Sequence, residues 1–350
     1  MEFGIFHEFA GRAGRTEAEI FAEGMRLVDD AERWGLDAVW LAELHFDPAR
    51  SVLSAPLTIA AAIAARTERL KIGIAVQVLP LANPIRLAEE AATVDQLSQG
   101  RLIFGVGRSG FARTYQSYGV SYAESRERFA ETLEILIRAW SRPRFSFAGE
   151  YFRYDDVCLV PKPVQRPYPE IRVAANTPDT FPQIGRQGFP LLAAVRLGTL
   201  AELAPNLAAY RAAWREAGHP GEGKVFLRVP IYLAETAEAA IAEPEESIMS
   251  FYKSLGSTLE SSAAIAGARA AEGRAERGQR LQQVTYEDAL REKVIAGTPA
   301  MAVERLRWLR DELGIDGILA ELNCGTLIPE EKVRRSLRLL CTEVMPHLQN

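Results

Sequence analysis

The stretch Lys71–Gly110, KIGIAVQVLPLANPIRLAEEAATVDQLSQGRLIFGVGRSG, decides how the rest of the chain is read. Its opening run, Lys71–Val78, is almost wholly apolar and rich in Ile and Val, as expected of a strand covered on both faces. Pro84 then opens a helical pattern that runs to Leu97, Gly100 ends it, and Arg101–Val106 is a second apolar run. Strand, helix and strand in close succession make a βαβ unit and predict a parallel sheet. The same alternation extends in both directions. Upstream, Glu2–Phe6 and Asp37–Leu41 read as strands, followed by helices over Glu17–Trp34 and Pro56–Arg66. Downstream, a helix over Tyr122–Trp140 precedes strands at Ile171–Ala174, Pro190–Ala194, Val225–Leu233 and Gly317–Glu321. Eight strands in this order predict an α/β chain with one closed (β/α)8 TIM barrel over residues 1–350, rather than an open doubly wound sheet.

Two insertions interrupt the rhythm. Residues 141–169, rich in aromatics and prolines, predict a hairpin followed by an extended strap before strand five. Residues 235–298, with an Ala/Gly/Arg/Glu-rich middle, predict a lid-like segment after strand seven, helical in part and mobile in part. Neither carries enough large apolar side chains for a core of its own.

Composition removes several classes of function. The 350 residues are 48% hydrophobic and 25% charged, with a net charge of -5, so neither nucleic acid nor an anionic membrane is expected as partner. Cys158, Cys324 and Cys341 are far apart and odd in number, which argues against a disulfide framework or zinc knuckle. The longest uncharged stretch, Ser51–Ala65, is shorter than the roughly 20 residues a membrane helix needs. With a strand beginning at once and no secretory signal, a cytoplasmic protein is expected.

Three constellations could carry chemistry. Gly105, Gly107 and Gly110 spell GxGxxG after a strand, but three β-α units precede it, so a dinucleotide fingerprint is disfavoured. The better reading is a tight loop that lets backbone approach a ligand, with Arg108 offered to a phosphate. Glu43, His45 and Asp47 alternate just past strand two and could converge at the barrel mouth. A metal-dependent hydrolase would need more ligands; His7, Glu321 and Asn323 could join, but the set is poor in histidine, and no metal is expected; the plain alternative is a structural histidine held by a neighbouring carboxylate. Arg126, at the start of a helix, is a second phosphate candidate, or else a surface charge paired with Glu124 or Glu127. Asn176, Thr177 and Thr180 follow strand five in AANTPDT, small polar donors that alone would read as a helix cap. No nucleophile motif is present, so the site would bind a cofactor that carries the reaction.

Taken together, WGLDAVWLAELHF (34–46), the Leu70–Gly110 stretch, the strap GEYFRYDDVCLVPKPVQRPYPEIRVAAN (149–176) and the closing GTPAMAVERLRWLRDELGID (297–316) with VMPHL (344–348) resemble the bacterial luciferase-like flavin-dependent monooxygenases. The likeness runs in order over nearly the whole chain except residues 235–298. It implies the barrel and a cofactor, FMN in its reduced form. It makes Arg108 and Arg126 ligands of the phosphate end, sets Glu43 beside the flavin, and places a non-prolyl cis peptide at Ala75–Val76 under the isoalloxazine ring. Ala175, Asn176, Thr177 and Thr180 fall where the family contacts flavin or phosphate. His45 matches the second histidine of the EHHF motif and, with Glu43, is expected to be catalytic. The first histidine is Leu44 here, and the reactive cysteine after strand four is Gly107, which weighs against light emission and an aldehyde substrate. The implied chemistry is reaction of reduced FMN with O2 to a C4a-(hydro)peroxyflavin that oxygenates a small organic substrate. No nicotinamide domain is visible, so a separate flavin reductase is expected to supply the flavin, and the family suggests a homodimer. Rivals on the same fold are hydride transfer with a deazaflavin coenzyme and a non-catalytic flavin-binding subunit.

Overall fold

The computed structural model describes the chain except residues 13, 196–197, 263–267 and 350, and the side chains of 268–272. Among the described residues, eight parallel strands close a barrel: β1 (Glu2–His7), β2 (Ala38–Leu41), β3 (Lys71–Ile74), β4 (Leu102–Gly107), β5 (Glu170–Ala174), β6 (Leu191–Ala194), β7 (Val225–Leu233) and β8 (Gly317–Glu321). Each pairs with its neighbour in sequence order, and β8 closes the ring on β1 with Glu2 opposite Gly317. In such a ring β4 and β5 face β8 and β1 across the mouth.

The helices lie outside because their apolar stripes have only the barrel to cover. Helix α1 (Glu17–Arg33) starts in a capping box in which Thr16 and Glu19 satisfy each other's backbone N–H. Helix α2 spans Pro56–Ala64, and α3 (Pro84–Leu97) begins with Asn83 as cap and Pro84 in the first turn, where the missing N–H costs nothing. Helix α4 spans Ser125–Ser141, α5 Thr180–Gln187 and α6 Leu200–Glu216. The floor of the barrel is closed by Arg172, which is 1% exposed. Its guanidinium reaches Glu2 and Glu170, each at 2.8 Å, and stacks on Phe226 at 3.3 Å. A buried charge needs such partners to be tolerated.

The expected third strand, Lys71–Val78, is broken. The ladder of β3 stops at Ile74, the Ala75–Val76 peptide is cis, and Gln77–Val78 pairs separately with Val106–Gly107. The first insertion is the expected hairpin, Phe145–Ala148 against Arg153–Val157, and its tip is held by Glu131, which accepts the N–H groups of Glu150, Tyr151 and Phe152.

The second insertion is more helical than expected. Helix α7 (Glu245–Ser262) packs on α8 (Ala268–Gln282), and a short strand, Ile295–Gly297, runs beside β7. Gly256 and Gly278 face each other where α7 and α8 cross: a Cβ on either would come 2.8 Å from the other's carbonyl oxygen. The segment also holds an apolar cluster, including Ile248, Phe251, Tyr252 and Leu281, joined to Cys324 beside β8. Part of the segment read as mobile, residues 263–267, lies outside the described residues. No described helix is long and apolar enough to cross a membrane.

Candidate active site

Strands β1–β5 and β7 carry residues that line a cleft of about 340 Å³ at the C-terminal mouth of the barrel. Catalysis in this architecture sits at that end, because the loops after the strands converge there. Of the residues singled out in the sequence, Glu43, Ala75, Val76, Arg108, Arg126, Asn176, Thr177 and Thr180 all line it. His45 and Ala175 do not. Ala175 is 2% exposed and packs in the main core, its N–H bonded to the Leu192 carbonyl.

Glu43 is fully engaged by protein groups. One carboxylate oxygen meets His45 Nε2 at 2.9 Å; the other accepts from Gln77 Nε2 at 2.6 Å and the Val78 N–H at 2.8 Å. It thereby fixes the segment that follows the cis peptide. The second ring nitrogen of His45 faces the Tyr118 hydroxyl at 3.2 Å. With Glu43 and Tyr118 at its two ring nitrogens and its side chain 7% exposed, His45 stands behind Glu43 and outside the cleft lining. Asp47 does not join them. Residues 43–47 are irregular, with Phe46 at φ 60°, so strand alternation does not operate there. Asp47 is exposed and offers its carbonyl to the Arg50 and Ser51 N–H groups. Among the described residues no three His, Cys, Asp or Glu stand together to hold a metal.

The glycine run brings Gly107 and Gly110 to the cleft lining, and two of its glycines also make room within the fold. A Cβ on Gly105 would fall 1.9 Å from the Ile74 carbonyl oxygen, and one on Gly107 2.5 Å from the Val76 side chain. Both glycines admit the neighbouring β3 backbone and the cis-peptide segment, so the close approach is internal to the protein. Gly110 would meet nothing within 4 Å.

Arg108 leaves the end of β4 and is held by Ser125 Oγ at 3.1 Å, while Tyr115 donates its hydroxyl proton to the Arg108 carbonyl. No carboxylate pairs with Arg108 among the described residues. Arg126, in the first turn of α4, pairs with Asp179 at 2.9 Å rather than with Glu124 or Glu127. Asp179 also accepts from Thr177, whose hydroxyl lies 2.8 Å from that of Thr180. The Thr177 bond and Arg126 hold the Asp179 carboxyl below its ordinary value, against burial. Asn176 is exposed at the rim.

Apart from Glu321, which the sequence offered as a possible ligand, two further sets of residues at the cleft escaped sequence reasoning. Arg274 and Arg277, on α8, reach the cleft from the insertion. Arg274 is buried and donates to the Gly110 carbonyl at 2.8 Å and the Tyr122 hydroxyl at 2.6 Å, tying α8 to the loop that carries Arg108. Across the mouth, Glu8, Arg50 and Arg228 line the wall, with Glu321 behind them. Arg228 stands out as a single charge inside the apolar run of β7, a signal that was available in the sequence.

His7 lies outside the cleft. Its ring is packed on Phe9 and its Nε2 sits 3.3 Å from the Gly24 carbonyl. Burial pushes its pKa down to about 4, against the raising effects of Gly24 and Glu8, so the ring is neutral.

The family profile described as luciferase-like monooxygenase matches residues 1–317. Among curated relatives, an F420-dependent glucose-6-phosphate dehydrogenase of Kineococcus radiotolerans is 38% identical over 184 residues, covering 50% of this chain and 53% of that protein. The oxygenase component of a flavin-dependent trigonelline monooxygenase of Acinetobacter baylyi is 28% identical over 183 residues, 51% of this chain and 50% of the relative. The chain thus matches about half the length of these relatives. Among solved structures, monooxygenase RslO1 of Streptomyces bottropensis is 26% identical, with a TM-score of 0.81 and 99% of each chain covered. The closed barrel, the cleft at its mouth and the profile match together establish that this chain belongs to the luciferase-like monooxygenase family.

Proposed function

We propose that the chain is the oxygenase of a two-component system, in which reduced FMN from a separate flavin reductase and O2 act on a small organic substrate in the cleft. The observation that carries this reading is the Arg108 guanidinium, free of any described carboxylate and lining the same cleft as Arg126, Thr177 and Thr180. A cation and hydroxyls at one wall suit a terminal phosphate monoester, which accepts bidentate and hydroxyl donors. Bound there, reduced FMN would supply the electrons that activate oxygen.

The protein's own part follows from its side chains. Arg108, Arg126, Thr177 and Thr180 bind the phosphate end. Glu43 keeps residues 75–78 in place as one wall for the ring system, and His45 keeps Glu43 in its rotamer. Helices α7 and α8 cover the mouth, bringing Leu259 and Arg277 to it and shedding water from the reacting centre. In the cell we place the protein in the cytoplasm as a homodimer, with light scattering expected to give twice the 38.7 kDa chain mass.

A second reading, hydride transfer with deazaflavin coenzyme F420, is favoured by the named relative and by the additional cations Arg274 and Arg277, which suit a more anionic tail. Stopped-flow mixing of the protein and photoreduced FMN with oxygenated buffer tests the two. The first reading expects reoxidation kinetics altered from those of free FMN, with less hydrogen peroxide released when substrate is present. Kinetics identical to free FMN, together with tight binding of reduced F420, would replace it with the second.

A further inference from the structure

The β8–β1 side of the mouth holds four charged side chains, two buried and two partly buried, that the phosphate site does not use. Arg50 reaches Glu8 at 2.5 Å, Arg228 reaches the same oxygen of Glu8 at 3.2 Å, and Arg228 also grips both oxygens of Glu321 at 2.7 and 2.9 Å. Their side chains are 16%, 9%, 11% and 4% exposed for Arg50, Glu8, Arg228 and Glu321. Among the described residues, two cations therefore face two anions. Burial works against the charge of Arg50, but Glu8, Glu321 and Asp47 overcome it and raise its pKa, so negative charge surrounds this guanidinium on more than one side.

An anion entering here would gain little from guanidinium groups already committed to carboxylates, and it would meet Glu8 at close range in a poorly solvated wall. A neutral oxygen would fare better. Arg50 and Arg228 each engage protein acceptors through Nε and Nη2, while no described protein acceptor holds either Nη1. A guanidinium has donors to spare in this arrangement. Around these donors the wall is aromatic: Arg228 lies 3.4 Å from the Phe6 ring centroid, and Arg50 lies between Phe111 and Phe251 at 5.6 and 5.9 Å.

We propose that this side of the cleft selects an uncharged organic substrate bearing a hydrogen-bond-accepting oxygen and excludes carboxylates and sulfonates, with Glu8 and Glu321 as the specificity-determining residues. The inference rests on the reading of the cleft as the oxygenation site. Its balance of charge contrasts with the facing wall, where Arg108, Arg274 and Arg277 have no carboxylate partner among the described residues.

The test uses matched pairs on one carbon skeleton: cyclohexanone with cyclohexanecarboxylate, and 2-decanone with decanoate and decane-1-sulfonate. Binding to the full chain is read by ligand-observed saturation-transfer NMR with FMN bound, so that its phosphate occupies the Arg108 wall and the anions report on the β8–β1 side. Flavin fluorescence reports FMN occupancy separately, so loss of the flavin reading is distinguishable from loss of the substrate reading. The ketone should bind at least tenfold more tightly than its anionic partner. Glu321→Gln and Glu8→Gln, each leaving a guanidinium undercompensated, should raise affinity for the carboxylate about tenfold. The wild-type comparison stands alone if a variant does not fold. Equal or tighter binding of the anions by the wild type overturns the proposal, as does silence from both ketones.

Discussion

Among the described residues, Arg108 and Arg274, on the β4–β5 side of the mouth, donate to neutral oxygens, whereas on the β8–β1 side Arg50 and Arg228 are each held by a carboxylate. Both walls are rich in arginine, yet they do different things. A guanidinium paired with carboxylates in a poorly solvated wall is part of the framework, and removing one partner exposes the full desolvation cost of the other. A guanidinium that keeps only hydroxyl and carbonyl contacts retains its attraction for an incoming anion. Arg172, closed off by Glu2 and Glu170 at the barrel floor, belongs with the framework group. Counting arginines would therefore mislead; their partners decide what they do.

The largest effect expected from this contrast is on stability. Glu321→Ala should cost about 3–5 kcal/mol, since it leaves Arg228 buried with only the longer contact to Glu8. Arg108→Ala should change stability by no more than about 1 kcal/mol. Urea unfolding of both variants checks the contrast; similar losses would erase it.

Next in size is the pH dependence on the framework side. His7 adjoins Glu8 on β1, and burial holds its pKa near 4 against an ordinary 6.5, so its stabilising contribution is complete above pH 6.5 and is lost as pH falls through 4. The window is worth about 3 kcal/mol. In His7→Gln this component of the slope should vanish, leaving only that of the acidic groups. A variant that tracks the wild type from pH 7 to 4 would mean that the ring is not held neutral.

Smaller again is the direct effect on the ligand wall. Arg108→Ala should weaken FMN by about 2 kcal/mol, roughly 30-fold, through the lost charge-assisted bonds, and leave riboflavin unaffected. Smallest is Asp179→Asn, which releases Arg126 from an exposed ion pair and should tighten FMN by less than about 1 kcal/mol. Weaker binding would make Asp179 a support for Arg126 rather than a competitor for it.

The sequence made the framework legible wherever the signal was local. Val225–Leu233, Gly317–Glu321 and Pro84–Leu97 fall at the limits read from apolar runs, caps and breakers. The break in the third strand escaped because it depends on Gln77–Val78 pairing with β4 and on Glu43 reaching across to hold it. A histidine held by a neighbouring carboxylate was one reading of Glu43 and His45, and they do pair, but a strand rule applied to irregular backbone wrongly offered Asp47 as a third member. The partners that sort the arginines are distant in the chain: Arg126 meets Asp179 across 53 residues, Arg274 meets Gly110 across 164, and Arg228 meets Glu8 across 220. Composition alone shows only that both signs are present.

The measurement that bears most directly on the account is the affinity of the wild-type chain for reduced FMN against reduced riboflavin, titrated anaerobically by fluorescence. A ligand wall built around Arg108 predicts that FMN binds at least about 30-fold more tightly, since the phosphate is the only difference between the two. Equal affinities would contradict it, because the uncompensated cations of the β4–β5 side would then have no part in holding the flavin.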